Sequence, residues 1–150
     1  MTLLIRTATD ADLPLLAHMN KRLIEDEGNR NPMSVVELQD RMNQWLHGDR
    51  KFQLFIEDVT IVGYAVYQFQ RDEFFPDQTV VYLRQFYIER AKRNRGLGSL
   101  AFKMLVRTCF PEKCTIALDV LASNPIGYKF WSRLGFQSYL TTMHLQNQGE

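Results

Sequence analysis

The sequence predicts one α/β domain of three layers, in which helices cover both faces of a mixed sheet. Three observations predict it. Two segments with helical periodicity come early in the 150-residue chain and two come late. A run of alternating segments, typical of strands, lies between them. A hydrophobic content of 45% suits a single core spanning residues 1–150.

The N-terminal part is predicted to contain one strand and two helices. Residues 3–9 alternate enough to form the strand. Apolar residues at helical spacing follow, and this first helix is expected to stop at Gly28. Ser34 and Glu37 have the spacing of a capping box, which predicts the start of the second helix. Gly48 is expected to end it.

Strands dominate the middle of the chain, and two helices and two further strands follow. Three strands are predicted at 51–57, 60–70 and 79–89, the first two joined as a hairpin. The remaining predicted elements are a helix from Leu97, a strand at 114–122, a helix from Asn124 to Gly135, and a last strand, or two strand pieces, at 136–145. Residues 146–150 are predicted to be disordered.

Composition excludes several classes of protein. The 18 basic and 17 acidic side chains leave a net charge of +1, which argues against a nucleic-acid or anionic-membrane partner. No apolar run reaches the roughly 20 residues that span a bilayer, and the N-terminus has no signal-peptide pattern. We therefore expect a cytoplasmic protein with free thiols at Cys109 and Cys114. The histidines and cysteines lack zinc-ligand spacing, so no metal is expected.

Two glycines, Gly96 and Gly98, follow a basic run and precede a helix. With Ala101 they fit a dinucleotide fingerprint, and Asp119 lies about where a ribose-binding acid belongs. Too little chain remains for such a domain, the approach to the helix is long and basic, and Asp119 is predicted inside a strand. The alternative is a pyrophosphate site, because a helix N-terminus offers free N–H groups and positive potential.

The loop also resembles a known motif. "IERAKRNRGLG" is similar to the coenzyme A loop of GNAT-type N-acetyltransferases, V-x-P-x-x-[RQ]-x-x-G-x-[GA]. Ile88 stands for the Val, Arg93 for the Arg or Gln, and Gly96 and Gly98 for the glycines. Arg90 replaces the Pro.

A second block, "LDVLASNPIGYKFWSRLGF", resembles a later motif of the same family: a strand, an Asn, a helix and an aromatic pair before Leu-Gly-Phe. Asn124 matches the Asn, and Phe130, Leu134, Gly135 and Phe136 match the end. One helix and one strand separate the two blocks, as in the family. The order of predicted elements fits the family fold over nearly the whole chain.

The resemblance implies a mostly antiparallel sheet that splays at the fourth strand, and acetyl-CoA as co-substrate. The pantetheine arm would lie along Phe86, Tyr87 and Ile88. The pyrophosphate would lie on the loop formed by Arg93, Asn94, Arg95, Gly96, Leu97, Gly98 and Ser99. Asn124 would meet the pantetheine.

The residues for proton transfer are harder to identify. The position where the family often has a tyrosine is Trp131, which can donate a hydrogen bond but cannot act as an acid. Tyr128, one helical turn earlier, is the nearest substitute, and both are candidate catalytic residues.

No carboxylate occupies the place on the fourth strand where many relatives carry a glutamate, since Tyr82, Arg84 and Gln85 stand there. Glu25, Asp26 and Glu27, at the end of the first helix, are the best acidic cluster for holding a cationic amine.

We therefore expect direct transfer of an acetyl group to a primary amine on a small cationic molecule, in a ternary complex. Acetylation of protein N-termini or lysines is one alternative. A coenzyme A-binding module without catalysis is another, because the usual acid and base are missing. The sequence leaves a homodimer open.

Overall fold

The computed structural model describes residues 2–149. In chain order, the elements are β1 (Leu3–Thr7), α1 (Leu13–Asp26), α2 (Val35–Leu46), β2 (Lys51–Glu57), β3 (Thr60–Arg71), β4 (Thr79–Ile88), α3 (Leu97–Cys109), β5 (Cys114–Ala117) and α4 (Pro125–Arg133). Short 3-10 turns at Asp10–Asp12 and Arg90–Lys92 precede α1 and α3.

The strands form one sheet in the order β1-β2-β3-β4-β5. The first three pairings are antiparallel and β4 pairs with β5 in parallel, so the mixed, mostly antiparallel sheet is confirmed. The hairpin between β2 and β3 is confirmed as well. It turns through Asp58 and Val59, whose φ angles of 49° and 66° suit the tight turns that match strand twist.

Helices cover both faces of the sheet, which confirms the three layers. One core lies under α1 and α2, where Leu16, Met19 and Met42 pack against Tyr64 of β3 and Tyr87 of β4. The other lies under α3 and α4. Its members include Val62, Val81, Ala101, Leu105 and, partly buried, Trp131 and Leu134. The sheet thus separates two environments, one on each side of β4.

Local signals set the helix ends as the sequence predicts. The Ser34 hydroxyl accepts a hydrogen bond from the Glu37 amide at 3.2 Å, and the Glu37 carboxylate accepts one from the Ser34 amide at 2.9 Å. This is the predicted capping box. Gly28, with φ of 62°, follows the end of α1 in the left-handed conformation. The predicted free thiols are also confirmed, since Cys109 and Cys114 form no disulfide.

The sheet opens at β4, as the resemblance implies. Only Thr79–Tyr82 pairs with β5, opposite Cys114–Ala117. Residues 83–88 stay paired with β3 on their other edge. Their edge toward β5 therefore has no strand partner within residues 2–149.

A β-bulge interrupts β4 at the same point. Leu83 lies opposite Tyr67 and Gln85 lies opposite Val66, so Arg84 is the extra residue. The bulge shifts the alternation of side chains by one residue. Tyr82, before it, and Gln85, after it, consequently share a face with Arg84.

Two predicted strands are too long. The first ends at Thr7 and not at residue 9, where the chain turns into the 3-10 segment before α1. The fifth ends at Ala117 and not at residue 122. Because β4 and β5 diverge, the chain beyond Ala117 has no ladder to join. Asp119 therefore lies after the strand, and its predicted place inside a strand is wrong.

The last predicted strand, 136–145, is wrong as well. These residues form no regular structure, and the side chains of Tyr139, Met143 and Leu145 are 86–92% exposed. Alternation favours an extended chain, but a strand also needs a neighbour to pair with. Residues 146–149 are likewise exposed and irregular, and Glu150 of the predicted disordered tail lies outside the described residues.

Candidate functional site

The glycine-rich loop turns the chain from β4 into α3. Asn94 and Gly96 both have left-handed backbones, with φ of 64° and 75°. A Cβ at Gly96 would meet no atom within 4 Å, so the backbone angle and not crowding requires glycine there. The amide of Leu100 is bonded to the Gly96 carbonyl at 3.1 Å, so the amides before it begin the helix without intrahelical acceptors. This open helix N-terminus suits an anion.

Glycine is needed at position 98 for a different reason. A Cβ there would lie 3.1 Å from the Phe130 ring, so glycine allows α3 and α4 to approach closely. Phe130 also packs 4.8 Å, centroid to centroid, from Trp131. The second glycine of the predicted loop thus serves packing between helices.

The predicted phosphate-binding Arg93 is held by the protein itself. Its Nε donates to the Ile88 carbonyl at 2.8 Å, and its guanidinium forms an ion pair with Asp26 at 2.5 Å. The same guanidinium lies 5.3 Å from the centre of the Tyr87 ring. Arg93 therefore fixes the loop to the end of β4 and to α1.

The other loop cations are also paired. Arg90 contacts Asp26 at 2.8 Å and Glu25 at 3.1 Å. Arg95 and Lys92 both contact Glu57, whose side chain is only 7% exposed, at 3.1 and 3.5 Å. Side-chain charge in the loop is thus largely neutralised, whereas the backbone amides at the start of α3 have no intrahelical acceptors.

Beside the loop, aromatic side chains pack around Phe86 of β4. The ring of Phe86 lies 5.3–6.2 Å from those of Phe102, Phe130 and Trp131. The backbone of Phe86, Tyr87 and Ile88 belongs to the edge of β4 that β5 leaves. The sequence-predicted cofactor segment is therefore adjacent to the glycine-rich loop.

Asn124 acts as the N-cap of α4. Its Oδ1 accepts a hydrogen bond from the Gly127 amide at 3.0 Å, as the pattern Asn-Pro predicts. A Cβ at Gly127 would collide with the Asn124 amide group, so the cap and the glycine form one tight unit. The predicted contact of Asn124 with pantetheine stays a prediction.

The two candidate catalytic aromatic residues lie on α4. Trp131 packs against Phe86, Phe102, Phe130 and Phe136 at 4.8–5.4 Å, in the core under α3 and α4. Packing alone therefore explains why a tryptophan occupies position 131. Tyr128 is half exposed, and its hydroxyl lies 2.8 Å from the Ser138 hydroxyl.

On the opposite face of β4 lies a polar cleft of about 230 Å³. It is bounded by α1, α2 and the bulged part of β4, and its lining residues are Asn20, Ile24, Glu27, Asn29, Asn31, Arg41, Tyr82, Arg84, Gln85, Asp119 and Leu121. The bulge at Arg84 explains why three neighbouring side chains of β4 line it.

Of the three acids predicted to hold the amine, Glu27 lines this cleft. Burial raises the pKa of the Glu27 carboxyl, a shift that the hydrogen bond from Asn29 and the charge of Arg84 oppose. Glu25 and Asp26 instead form the ion pairs with the loop arginines. The three acids predicted as one cluster therefore lie in two places: Glu27 at the cleft, and Glu25 and Asp26 in ion pairs with the loop.

A pair missed by sequence reasoning lies across the cleft. The Tyr82 hydroxyl donates to Asp119 Oδ2 at 2.7 Å. Burial raises the pKa of Tyr82, and its hydrogen bond to Asp119 raises it further. The pair forms because β5 ends early and releases Asp119, which alternation along the sequence could not indicate.

A larger depression of about 550 Å³ lies between the end of β1 and the turn after α2. Its ionisable groups include Asp10 and His47, which lie 2.8 Å apart and are both largely exposed. It adjoins neither the glycine-rich loop nor β4. The smaller cleft is the one placed against the opening in the sheet.

Within residues 2–149, no group of three or more histidine, cysteine or acidic side chains could hold a metal ion. No helix in the described part of the chain is both long and apolar enough to cross a membrane.

The fold and the glycine-rich loop are typical of one class of acyltransferases. Comparison with known proteins identifies the family. Residues 18–136 match the acetyltransferase (GNAT) family, and the chain belongs to this family. No curated protein sequence matches it significantly.

Solved structures share the fold over nearly the whole chain. A possible acetyltransferase from Clostridium difficile 630 is 16% identical, with a TM-score of 0.79 over 100% of both chains. The aminoglycoside N-acetyltransferase AAC(6')-Iy in complex with CoA is 18% identical, with a TM-score of 0.74 over 99% of this chain and 96% of that one. A predicted acetyltransferase with acetyl-CoA from Clostridium acetobutylicum is 21% identical, with a TM-score of 0.74 over 97% and 96%.

Proposed function

We propose that the protein transfers the acetyl group of acetyl-CoA to a primary amine by direct attack in a ternary complex. The observation that carries this proposal is the edge of β4 beyond Tyr82, which is open toward β5 and leads into the helix N-terminus at Leu97. Structures of the same fold contain CoA or acetyl-CoA, which supports this choice of ligand.

The described residues fit acetyl-CoA. The pantetheine arm is an extended chain with amide groups, and the backbone of Phe86 to Ile88 offers it a partner of the same kind. The pyrophosphate would lie over Gly96, where no atom stands in the way, on the first amides of α3. Asn124, the N-cap of α4, would meet the pantetheine, as the resemblance implies. Acetyl-CoA supplies an activated acyl carbon and a thiolate leaving group.

The amine must reach this acyl carbon as a neutral nucleophile. A lysine-like amine has a pKa near 10.4, so losing its proton at pH 7 costs about 4–5 kcal/mol. We assign the proton to Glu27, directly or through water, because it lines the cleft and burial raises its pKa toward that of a useful base. The new C–N bond then replaces the C–S bond. As the amide forms, the nitrogen loses a second proton, which reaches the leaving thiolate through water or Tyr128, and Glu27 afterwards gives its own proton to solvent.

The size of the cleft favours a small acceptor or a single side chain. Its volume of about 230 Å³ is below the ~300–1,000 Å³ typical of sites for drug-sized ligands. The carboxylate of Glu27 suits the cationic form in which the amine arrives. Protein N-termini and lysines remain the alternative acceptors, and a coenzyme A-binding module the alternative without catalysis.

The test is release of free thiol from acetyl-CoA across a panel of small amines and lysine peptides. We expect release with at least one small amine, and a strongly reduced kcat in Glu27→Gln. Glu25→Gln is the matched control, since Glu25 does not line the cleft. Tight binding of coenzyme A without thiol release for any amine would favour the non-catalytic module. No binding of coenzyme A at all would overturn the proposal.

A further inference from the structure

One feature at the side of the cleft has no role in the steps above: a cluster of arginines around Trp45. The guanidinium carbons of Arg41, Arg50 and Arg84 lie 4.4, 4.7 and 5.5 Å from the centre of the indole ring. They come from α2, from the turn before β2 and from the bulge of β4. Three positive charges thus converge on one aromatic side chain.

No carboxylate among residues 2–149 forms an ion pair with these three arginines. The arginines of the glycine-rich loop are all paired, so the contrast is local. Like charges held together without counter-ions repel each other. An anion bound there would relieve the repulsion.

The floor of the cleft adds unsatisfied donors. Arg41 donates to Asn20 Oδ1 at 3.3 Å, while Arg41 Nε and Asn20 Nδ2 are buried without a hydrogen-bond partner in the described chain. Asn20 itself is 0% exposed. Burial lowers the pKa of Arg41, and the positive charge of Arg84 lowers it further. Buried donors and partly desolvated cations of this kind are costly unless something pairs with them.

Arg41 and Arg84 line the cleft, whereas Arg50 does not. The acids Glu27 and Asp119 line the same cleft, and Asp119 is bonded to Tyr82. The cleft therefore has both cationic and anionic groups. A dianion such as a phosphate would meet the two acids, so a singly charged carboxylate fits this combination better. Two guanidinium groups are also well shaped for a planar carboxylate.

We propose that the acceptor is an amino-acid-like molecule whose carboxylate binds Arg41 and Arg84 while its amine faces Glu27. The inference rests on the proposed function and sharpens it. The amine is still cationic when it arrives, but the molecule as a whole is zwitterionic and not a net cation. Arg41 and Arg84 then determine acceptor specificity and do not carry the proton themselves, although the charge of Arg84 lowers the pKa of Glu27.

The experiment compares acceptors in pairs that differ only in the carboxylate, such as lysine with cadaverine and β-alanine with its amide. Thiol release is followed for the unmodified protein, for Arg84→Gln and for Arg50→Gln. Arg84 is exposed, so its replacement should not disturb folding. Arg50→Gln is the matched control, because it removes a charge from the same cluster outside the cleft.

We expect kcat/KM to be about 10- to 100-fold higher for the carboxylated member of at least one pair, as a charge-assisted contact provides. Arg84→Gln should remove most of this preference through KM. It also removes a charge that lowers the pKa of Glu27, so any change in kcat should be the same for both members of a pair. Arg50→Gln should retain the preference for the carboxylated acceptor. Calorimetric titration of the same pairs into the coenzyme A complex gives a second readout that does not need turnover.

The outcomes are distinguishable. Turnover of both members of every pair at equal kcat/KM would overturn the carboxylate site and leave the proposed function intact. An equal loss of preference in Arg50→Gln and Arg84→Gln would also overturn it, since that would show a general charge effect. If no pair is turned over, equal binding of both members to the coenzyme A complex would overturn it as well.

Discussion

Asp26, at the end of α1, forms an ion pair with Arg93 of the glycine-rich loop. The same carboxylate also contacts Arg90 at 2.8 Å. Its neighbour in sequence, Glu27, lines the cleft on the acceptor side. Two adjacent carboxylates, one at the end of α1 and one directly after it, therefore connect this helix to the glycine-rich loop and to the proposed acceptor cleft.

The Asp26 contacts predict a test of the loop. Asp26→Asn should weaken coenzyme A binding about three- to tenfold, because losing a partly exposed ion pair costs about 1 kcal/mol and frees Arg93. Isothermal titration calorimetry with coenzyme A measures it. Glu25→Gln, which loses only the more exposed contact with Arg90, should have a smaller effect. Equal affinities in all three proteins would show that the loop does not depend on α1.

Gly96 predicts a contrast between two substitutions. Its φ of 75° is unfavourable for most residues but tolerated by asparagine. Gly96→Ala should cost about 1–2 kcal/mol and weaken coenzyme A binding, whereas Gly96→Asn should retain more of both. Thermal unfolding and calorimetry separate the two effects. If alanine and asparagine behaved alike, the backbone angle would not be what selects glycine there.

Glu27 predicts opposite changes in stability and activity. Burial raises the folded-state pKa of Glu27 above the ordinary 4.5, so its ionisation costs stability as pH rises from 4.5 through the folded value. Glu27→Gln should therefore unfold at a higher temperature than the unmodified protein at pH 7. The difference should vanish below pH 4.5, where both states are protonated. The kcat of the unmodified protein should rise with pH as Glu27 ionises.

Unfolding scans between pH 4 and 8, with kcat measured over the same range, check both parts. The exposed Glu25 serves again as control, and Glu25→Gln should not raise the unfolding temperature at pH 7. A Glu27→Gln protein that is less stable at pH 7 would mean that the carboxylate is favourably paired. A wild-type kcat independent of pH would mean that Glu27 is not the base.

Trp131 and Tyr128 predict different losses. Trp131→Phe should reduce stability by about 1–3 kcal/mol, since it leaves space among four aromatic rings, and should keep most of kcat. Tyr128→Phe should leave stability nearly unchanged and lower kcat only if Tyr128 protonates the thiolate. Urea unfolding and thiol-release kinetics measure both. Complete loss of activity in a folded Trp131→Phe protein would assign a chemical role to the indole.

Local interactions explain the features that the sequence predicted well. Ser34 and Glu37 define a helix start within four residues, and Gly28 marks the end of α1 by its identity. The bulge at Arg84 depends on the pairing of β4 with β3, and the Tyr82–Asp119 pair depends on where β5 stops. Such long-range pairings leave little trace in the spacing of apolar residues. The cation-binding acids were predicted as one cluster because their partners, the loop arginines, are more than 60 positions away in the chain.

The end of the sheet bears on how the protein should be handled in solution. The outer edge of β5 has no pairing partner among residues 2–149, and residues 137–145, which alternate in sequence, form no regular structure. A second copy of the chain carries the complement of each, so strand addition between copies would satisfy both. We expect the unfolding temperature to rise with protein concentration over a hundredfold range, by mass action, and to stop doing so when residues 138–149 are removed. Kinetic constants of this protein would then hold only for the protein concentration at which they were measured.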